Sequence, residues 1–407
     1  MIGLTNRDKS LSFAVVSLIF IQIINVVLKK VIHISGGSGI WNIISIIGFL
    51  ISGIIIVRVF PKAIKCNPKI FFIIEIIAIF FYSISLFMKN SEYSIILNYA
   101  FWTMGVCIVM GYLVYSIDDY QILYNCLLKS SFMMSILLSV AVFLKNMDSK
   151  YFYDMSFSYL ILLPLLIHIN EAWKRKSIIF SIVAIYEICL IVVYGSRGAI
   201  ICICSFLVIC YLHYIKKSFT QLIVILITLC LVCLVSYDYQ KIIKGMIYLL
   251  NKLNIYSRSL DLLVSGDIIQ SSGRDVIQTN ILDMIYQKPI FGWGIAGEVS
   301  RIGTYPHNIF LEILVDFGVL IGAFLMLFMF YQFLKLFIEK NTIKKELMYI
   351  FLCSGLIPLF MSGTYLQNYQ FFIFIFLCLK TKGETYYKHD KRNISINRSI
   401  NRNYDYW

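Results

Sequence analysis

Apolar residues arrive in this chain in long unbroken runs, and that feature limits the possible folds more than any other. Twelve such segments follow one another: about Leu11–Leu28, Ile40–Val57, Ile70–Met88, Ile95–Tyr115, Leu123–Leu144, Phe157–Ile169, Ser177–Tyr194, Gly198–Tyr214, Phe219–Tyr237, Asn308–Phe330, Glu346–Ser362 and Leu366–Leu379. A helix needs about 20 apolar residues to cross the hydrocarbon core of a bilayer. Most of the runs approach that length; the sixth and twelfth are short. Isoleucine and phenylalanine would also suit buried strands, but an open sheet leaves its backbone unsatisfied in lipid. Only 14% of the 407 residues are charged and 59% are hydrophobic, against roughly 25% charged in an ordinary soluble domain. Mean hydropathy is +0.80. A water-facing surface cannot be built from so little charge. A soluble globular protein, a disordered chain and a secreted disulfide scaffold are thereby excluded. The expected class is all-α, a polytopic membrane protein with about 12 transmembrane helices.

The 11 cysteines agree. Most lie inside the apolar runs, and no CxxC pair has a matching second pair, so they read as small packing residues. Arg7 and Lys9 precede the first run as in a signal peptide, but that run is too long and no small-residue cleavage site follows. It is expected to be an uncleaved first span.

Orientation follows from the short loops. Arg58, Lys62, Lys65, Lys69, Lys174, Arg175, Lys176, Lys216, Lys217, Lys340, Lys344 and Lys345 fall on one side, together with the basic tail. The positive-inside rule places that side, and both termini, in the cytoplasm. The net charge of +14 is then mostly topology and attraction to anionic lipid. Scattered as it is among loops, it argues against a nucleic-acid partner. Four regions are expected: 1–237 with nine spans, 238–306 as a long external loop carrying part of the active site, 307–379 with three spans, and 380–407 as a basic cytoplasmic tail. Within the loop, Lys241–Leu263 has the pattern of an amphipathic helix, either lying on the outer membrane surface or packed on the bundle as a lid. A second helix is expected over Arg274–Gln287, ended by Lys288-Pro289.

Three outward places carry chemistry. Gly195-Ser196-Arg197-Gly198 is a tight break between two spans. Its arginine is either a snorkelling side chain or a fork of donors aimed at phosphate. Gly273-Arg274 opens a helix, whose N-terminus already favours anions; the alternative is one more solvated arginine beside Arg258 and Arg301. Tyr305-Pro306-His307-Asn308 enters the tenth span, where a histidine is either an interfacial residue or a proton acceptor near neutrality. Asn308, Glu312 and Asp316 recur every four residues behind it and share a helix face. They form either interhelical polar glue or a seam that orients His307 or binds a sugar. Glu75 and Glu187, inside apolar runs, raise the same question. No P-loop, no dinucleotide fingerprint and no HExxH is present. Two arginines and a histidine on the outer face point to a lipid-linked phosphate or pyrophosphate, since an enzyme outside the cytoplasm has no nucleotide sugar to use.

These residues resemble the O-antigen ligase and O-antigen polymerase (Wzy-type) superfamily of bacterial polysaccharide enzymes. The resemblance rests on Ser196-Arg197-Gly198-Ala199, on Gly273-Arg274 with Pro289-Ile290-Phe291-Gly292-Trp293-Gly294, and on His307-Asn308-Ile309-Phe310-Leu311-Glu312 running on to Phe317-Gly318. It covers about Tyr194–Gly322. It implies a glycosyltransferase C-type membrane fold and inverting transfer of a glycan from undecaprenyl pyrophosphate on the external side, with no metal or other cofactor. Arg197 and Arg274 would hold the pyrophosphate and stabilise it as it leaves. His307 would act as general base for the acceptor hydroxyl or as a further pyrophosphate contact. Trp293, Tyr305, Arg301, Asn308 and Glu312, and the Gln367-Asn368-Tyr369-Gln370 stretch, remain for sugar recognition or support. The implied partners are the undecaprenyl-pyrophosphate-linked oligosaccharide, membrane lipid, a chain-length regulator and a flippase. The first reading is a polymerase of capsule, exopolysaccharide or O-antigen repeat units in the cell membrane. A ligase moving the finished glycan to lipid A core, teichoic acid, peptidoglycan or protein is its rival, and a flippase stands further off.

Overall fold

The computed structural model describes residues 2–33, 38–65, 67–88, 90–146, 155–194, 196–214, 239–252, 260–261, 264 and 273–380. Among them the regular structure is helical, with no strand. In chain order the helices are α1 (Ile2–His33), α2 (Ser38–Ile64), α3 (Pro68–Met88), α4 (Tyr93–Ala100), α5 (Val109–Tyr115), α6 (Tyr120–Asn146), α7 (Met155–Arg175), α8 (Ile178–Tyr194), α9 (Arg197–Tyr214), α10 (Tyr239–Lys252), α11 (Arg274–Gln287), α12 (Gly297–Ile302), α13 (Ile309–Ile338), α14 (Thr342–Phe351) and α15 (Tyr369–Leu379). A π-helical stretch, Phe101–Ile108, joins α4 to α5. Among the described residues six helices are long and apolar enough to cross a membrane, and three shorter apolar ones accompany them. The expected ninth span, Phe219–Tyr237, lies outside the described residues. The expected sixth run falls within α7, whose second half carries His168, Asn170, Glu171, Lys174 and Arg175.

The expected eleventh run, Glu346–Ser362, is not one continuous helix. After α14 the backbone widens into a π-turn, Leu352–Leu356, then tightens into a 3-10 turn, Ile357–Phe360. Pro358 has no N–H for the ladder. Gly355 lies so close to α15 that a Cβ there would stand 2.5 Å from the Gln370 carbonyl carbon and the Phe371 nitrogen. The backbones touch, and the helix gives way to let them.

The buried polar residues sit in layers between helices. In α6, α7 and α8, the His168 Nδ1 faces the Glu187 carboxylate at 2.9 Å and its Nε2 faces the Ser131 hydroxyl at 2.9 Å. Glu187 thus has its partner inside the bundle and away from lipid, as an intramembrane acid requires. At one end of the bundle Arg7 and Lys380 both bind Asp118, drawing α1, the α5–α6 turn and the end of α15 together. At the other end the chain between α11 and α13 docks on the end of α3. The Ser85 hydroxyl accepts from the Ile295 N–H at 2.8 Å, and the Asn90 amide donates to the Trp293 carbonyl at 2.9 Å.

Candidate functional site

The site lies where α13 begins, and a break in α13 holds the surrounding loop. Gly318 has φ +72° and ψ 177° in the middle of the helix. This releases the carbonyls of Val315 and Asp316 from the ladder, and they accept from the Trp293 and Gly294 N–H groups at 2.7 and 2.9 Å. The freed Val319 N–H donates to the Pro289 carbonyl at 2.6 Å. A Cβ at Gly318 would stand 2.2 Å from the Ile290 carbonyl oxygen, and one at Gly292 would stand 2.5 Å from the Asp316 oxygen. Two stretches far apart in sequence, Phe291-Gly292-Trp293-Gly294 and Phe317-Gly318, are therefore two halves of one backbone joint.

Trp293 completes the joint. Its indole N–H donates to the Met284 carbonyl at 2.7 Å, and the ring is buried with Ile281, Ile285 and Val315 between α11 and α13. The Lys288 ammonium and the Arg301 guanidinium lie 3.9 and 3.8 Å from its ring centroid. Trp293 and Arg301, both candidates for substrate or support, are thus engaged with each other. The packing seats α11 on α13 and brings its first residue, Arg274, to the site.

Asn308 is the N-cap of α13, and its side-chain oxygen accepts from the N–H groups of Phe310 and Leu311 at 2.9 and 3.3 Å. His307, just before it, has φ +58°, a left-handed conformation uncommon for a non-glycine residue. Its ring centroid stands 4.4 Å from that of Tyr305, and its Nδ1 is buried without a hydrogen-bond partner. Burial, and after it the positive charge of Arg274, push the His307 imidazole down to about 4. Arg274 and His307 are therefore close enough to feel one another, and the imidazole is neutral at physiological pH with an unused nitrogen.

Glu312 and Asp316 face the turn before α15. The Thr364 hydroxyl donates to Glu312, the Tyr365 N–H approaches the same carboxylate at 3.4 Å, and the Tyr365 hydroxyl donates to Asp316 at 2.8 Å. Glu298 of α12 joins them. One oxygen each of Glu298 and Asp316 is buried without a donor, although the two carboxyls are hydrogen-bond neighbours. Burial pushes Glu298 up to about 7, against backbone N–H groups and the Asp316 contact. Behind His307, Glu312 and Asp316 thus act as the interhelical polar glue that was one of the two expected roles, clamping the last turn to α13.

Arg197 opens α9, but its side chain, like Gly195, lies outside the described residues. The helix it opens starts against Tyr159 of α7: a Cβ on Gly198 would stand 2.3 Å from the Tyr159 hydroxyl. The same phenol feels the charge of Arg274. Tyr159 is thus the common neighbour of both arginine-bearing helix starts. Sequence reasoning passed over it, because one tyrosine in an apolar helix has no spacing signal.

A cavity of about 550 Å³ adjoins this cluster, lined in part by Tyr159, Tyr305, Ser354, Ser362 and the Gln367–Gln370 stretch. The Gln367-Asn368-Tyr369-Gln370 turn singled out in the sequence does face Tyr305. A second, apolar cleft of about 1260 Å³ lies between α9 and α13 and includes Phe310, three residues after His307.

Fold and site together define a helical membrane protein with a polar pocket at one end of its bundle. Residues 182–328, from α8 well into α13, match the family model described as O-antigen ligase (Wzy_C). The match covers about a third of the chain and supports the resemblance to the O-antigen ligase/polymerase superfamily that its motifs suggested. No curated protein matches the chain, and no solved structure does.

Proposed function

We propose that the protein is a polysaccharide polymerase of the cell membrane, joining one undecaprenyl-pyrophosphate-linked glycan to a lipid-linked repeat unit on the external face. The observation that carries this reading is a neutral histidine with an unpartnered Nδ1 beside the charge of Arg274. The acceptor hydroxyl attacks the anomeric carbon of the donor. A C–O bond forms, the C–O bond to pyrophosphate breaks with its electron pair, and the hydroxyl proton passes to His307. Negative charge gathers on the leaving group. Arg274, and Arg197 with it, stabilise that charge in a site partly shielded from water, where preorganised donors act most strongly. The apolar cleft that starts at Phe310 has the chemistry to take the polyprenyl tail. The lysines and arginines gathered at the opposite end of the bundle favour a cytoplasmic location for that end and for both termini.

A ligase would use the same donor site with another acceptor, and the description of the matched family favours keeping that second reading. Incubating the purified protein with lipid-linked repeat units alone separates the two. A ladder of products means a polymerase. No product until a different acceptor is added means a ligase. No transfer with any acceptor overturns both.

A further inference from the structure

We infer that the cavity between Tyr159, Tyr305 and the last turn is a monosaccharide subsite that takes an uncharged sugar of the acceptor. The word acceptor rests on the transferase reading above; the chemistry of the cavity does not. At about 550 Å³ the space falls within the range of small-molecule sites. Its lining combines apolar patches (Val26, Leu160, Pro358) and three phenol rings (Tyr159, Tyr305, Tyr369) with hydroxyls and side-chain amides, and no charged residue is among the described lining. A pyranose offers the same mixture, apolar C–H faces and a rim of hydroxyls that both donate and accept. A carboxylate or phosphate placed there would find no cation among the described lining residues, and burying an unpaired charge is costly.

Two groups are free to read such a ligand. Ser354 is 3% exposed, lines the cavity, and its hydroxyl has no hydrogen-bond partner. An unmade bond in a packed interior calls for a missing partner. Ser354 sits in the π-turn Leu352–Leu356, and such local widenings of a helix are frequent at functional sites. The Gln367 amide is the second; it is half-buried in the cavity lining, and among the described residues no hydrogen bond ties its side chain. The neighbouring polar groups are already engaged. Thr364 donates to Glu312, Asn368 caps α15 and donates to the Gly355 carbonyl at 3.2 Å, and Gln370 reaches the Tyr369 hydroxyl. Those bonds hold the walls in place, so the free serine and glutamine face a preformed space. Tyr305 forms one wall, and its other neighbour is the His307 ring. A sugar seated here would therefore lie beside the group assigned to take its proton.

The test uses the full chain in lipid nanodiscs with the methyl glycosides of glucose, galactose, N-acetylglucosamine and glucuronic acid as probes, read by saturation-transfer NMR. At least one neutral glycoside is expected to give a signal and the glucuronide none. Gln367→Ala and Ser354→Val should each weaken that signal at least fivefold, with melting temperature unchanged for Gln367→Ala, whose side chain holds nothing in the fold. Absence of signal from every neutral glycoside, preference for the glucuronide, or full binding by Gln367→Ala would overturn the subsite. Binding needs no turnover, so the two readings fail separately. Glycoside binding through Ser354 and Gln367 without any transfer would sink the transferase and leave the subsite. Transfer indifferent to both substitutions would do the reverse.

Discussion

His307 combines a left-handed backbone, a buried unpartnered nitrogen and the nearby charge of Arg274. Each costs stability, and such strained, unsatisfied positions gather where function needs them. His307→Ala should lower turnover on lipid-linked repeats by roughly 10²–10⁴-fold while the protein still inserts and purifies in normal yield. Near-normal turnover would remove His307 from the base role. With the imidazole held at about 4, the acid limb of kcat/KM should fall well below pH 6, not at the ordinary histidine value. Arg274→Lys keeps the charge but loses the two-pronged donor, and should lower turnover by roughly 10²–10³-fold; long polymer at equal protein abundance would speak against the pyrophosphate role. Glu298 makes the opposite pH statement. Its folded value, about 7, lies above the ordinary 4.5, so its stabilising protonated form is fully present below 4.5 and is lost as pH rises through 7. Glu298→Gln should raise the melting temperature at pH 8 and flatten its dependence between pH 5 and 8; an unchanged profile would show that the carboxyl is not buried as described. At this scale, Arg274 and His307 were legible because charge and imidazole are rare in so apolar a chain. Tyr159 and Ser354 were not, because a hydroxyl inside an apolar run looks the same whether it faces a cavity or a neighbouring helix.

Among the elements, α13 shows most clearly how local sequence and tertiary packing divide the work. Its 30 residues would make a straight rod of about 45 Å, but Gly318 breaks it and the Pro289–Gly294 turn fills the break with three backbone hydrogen bonds. Gly318→Ala would force a side chain against the Ile290 carbonyl and into a left-handed backbone. It should cost about 2–3 kcal/mol or more and release the turn, seen as faster hydrogen exchange at the Trp293, Gly294 and Val319 amides. Unchanged protection would mean that the joint does not need the glycine. The paired glycines at 292 and 294 were readable as a turn. Their pairing with Gly318 was not, because nothing in a linear sequence says which backbone fills a helix break. Glu312 and Asp316 were correctly placed on one face by their four-residue spacing, but their partners Thr364 and Tyr365 belong to a turn about fifty residues away. The expected amphipathic helix, Lys241–Leu263, is described from Tyr239 to Lys252, with Met246, Tyr248 and Leu249 exposed, and most of the rest of the expected stretch lies outside the described residues.

For the molecule as a whole, the proposed sidedness is open to a direct test. In a cysteine-free background, Tyr286→Cys, exposed on α11, should react with a membrane-impermeant maleimide on intact cells, whereas Lys340→Cys should react only after permeabilisation. The reverse pattern would place the pocket in the cytoplasm, where lipid-linked glycan is not exported, and would remove the proposed reaction. Composition and the length of the apolar runs determined by themselves that this is a helical membrane protein, because a bilayer accepts few backbone solutions and demands long apolar segments for them. Motif residues likewise marked where the proposed chemistry gathers. Only the tertiary structure decided that Trp293 and Asn308 support the loop while Tyr159, Ser354 and Gln367 face a cavity. Which side chain is left unpaired is settled by hydrogen bonds between segments distant in the chain, and those depend on packing geometry that no local pattern encodes.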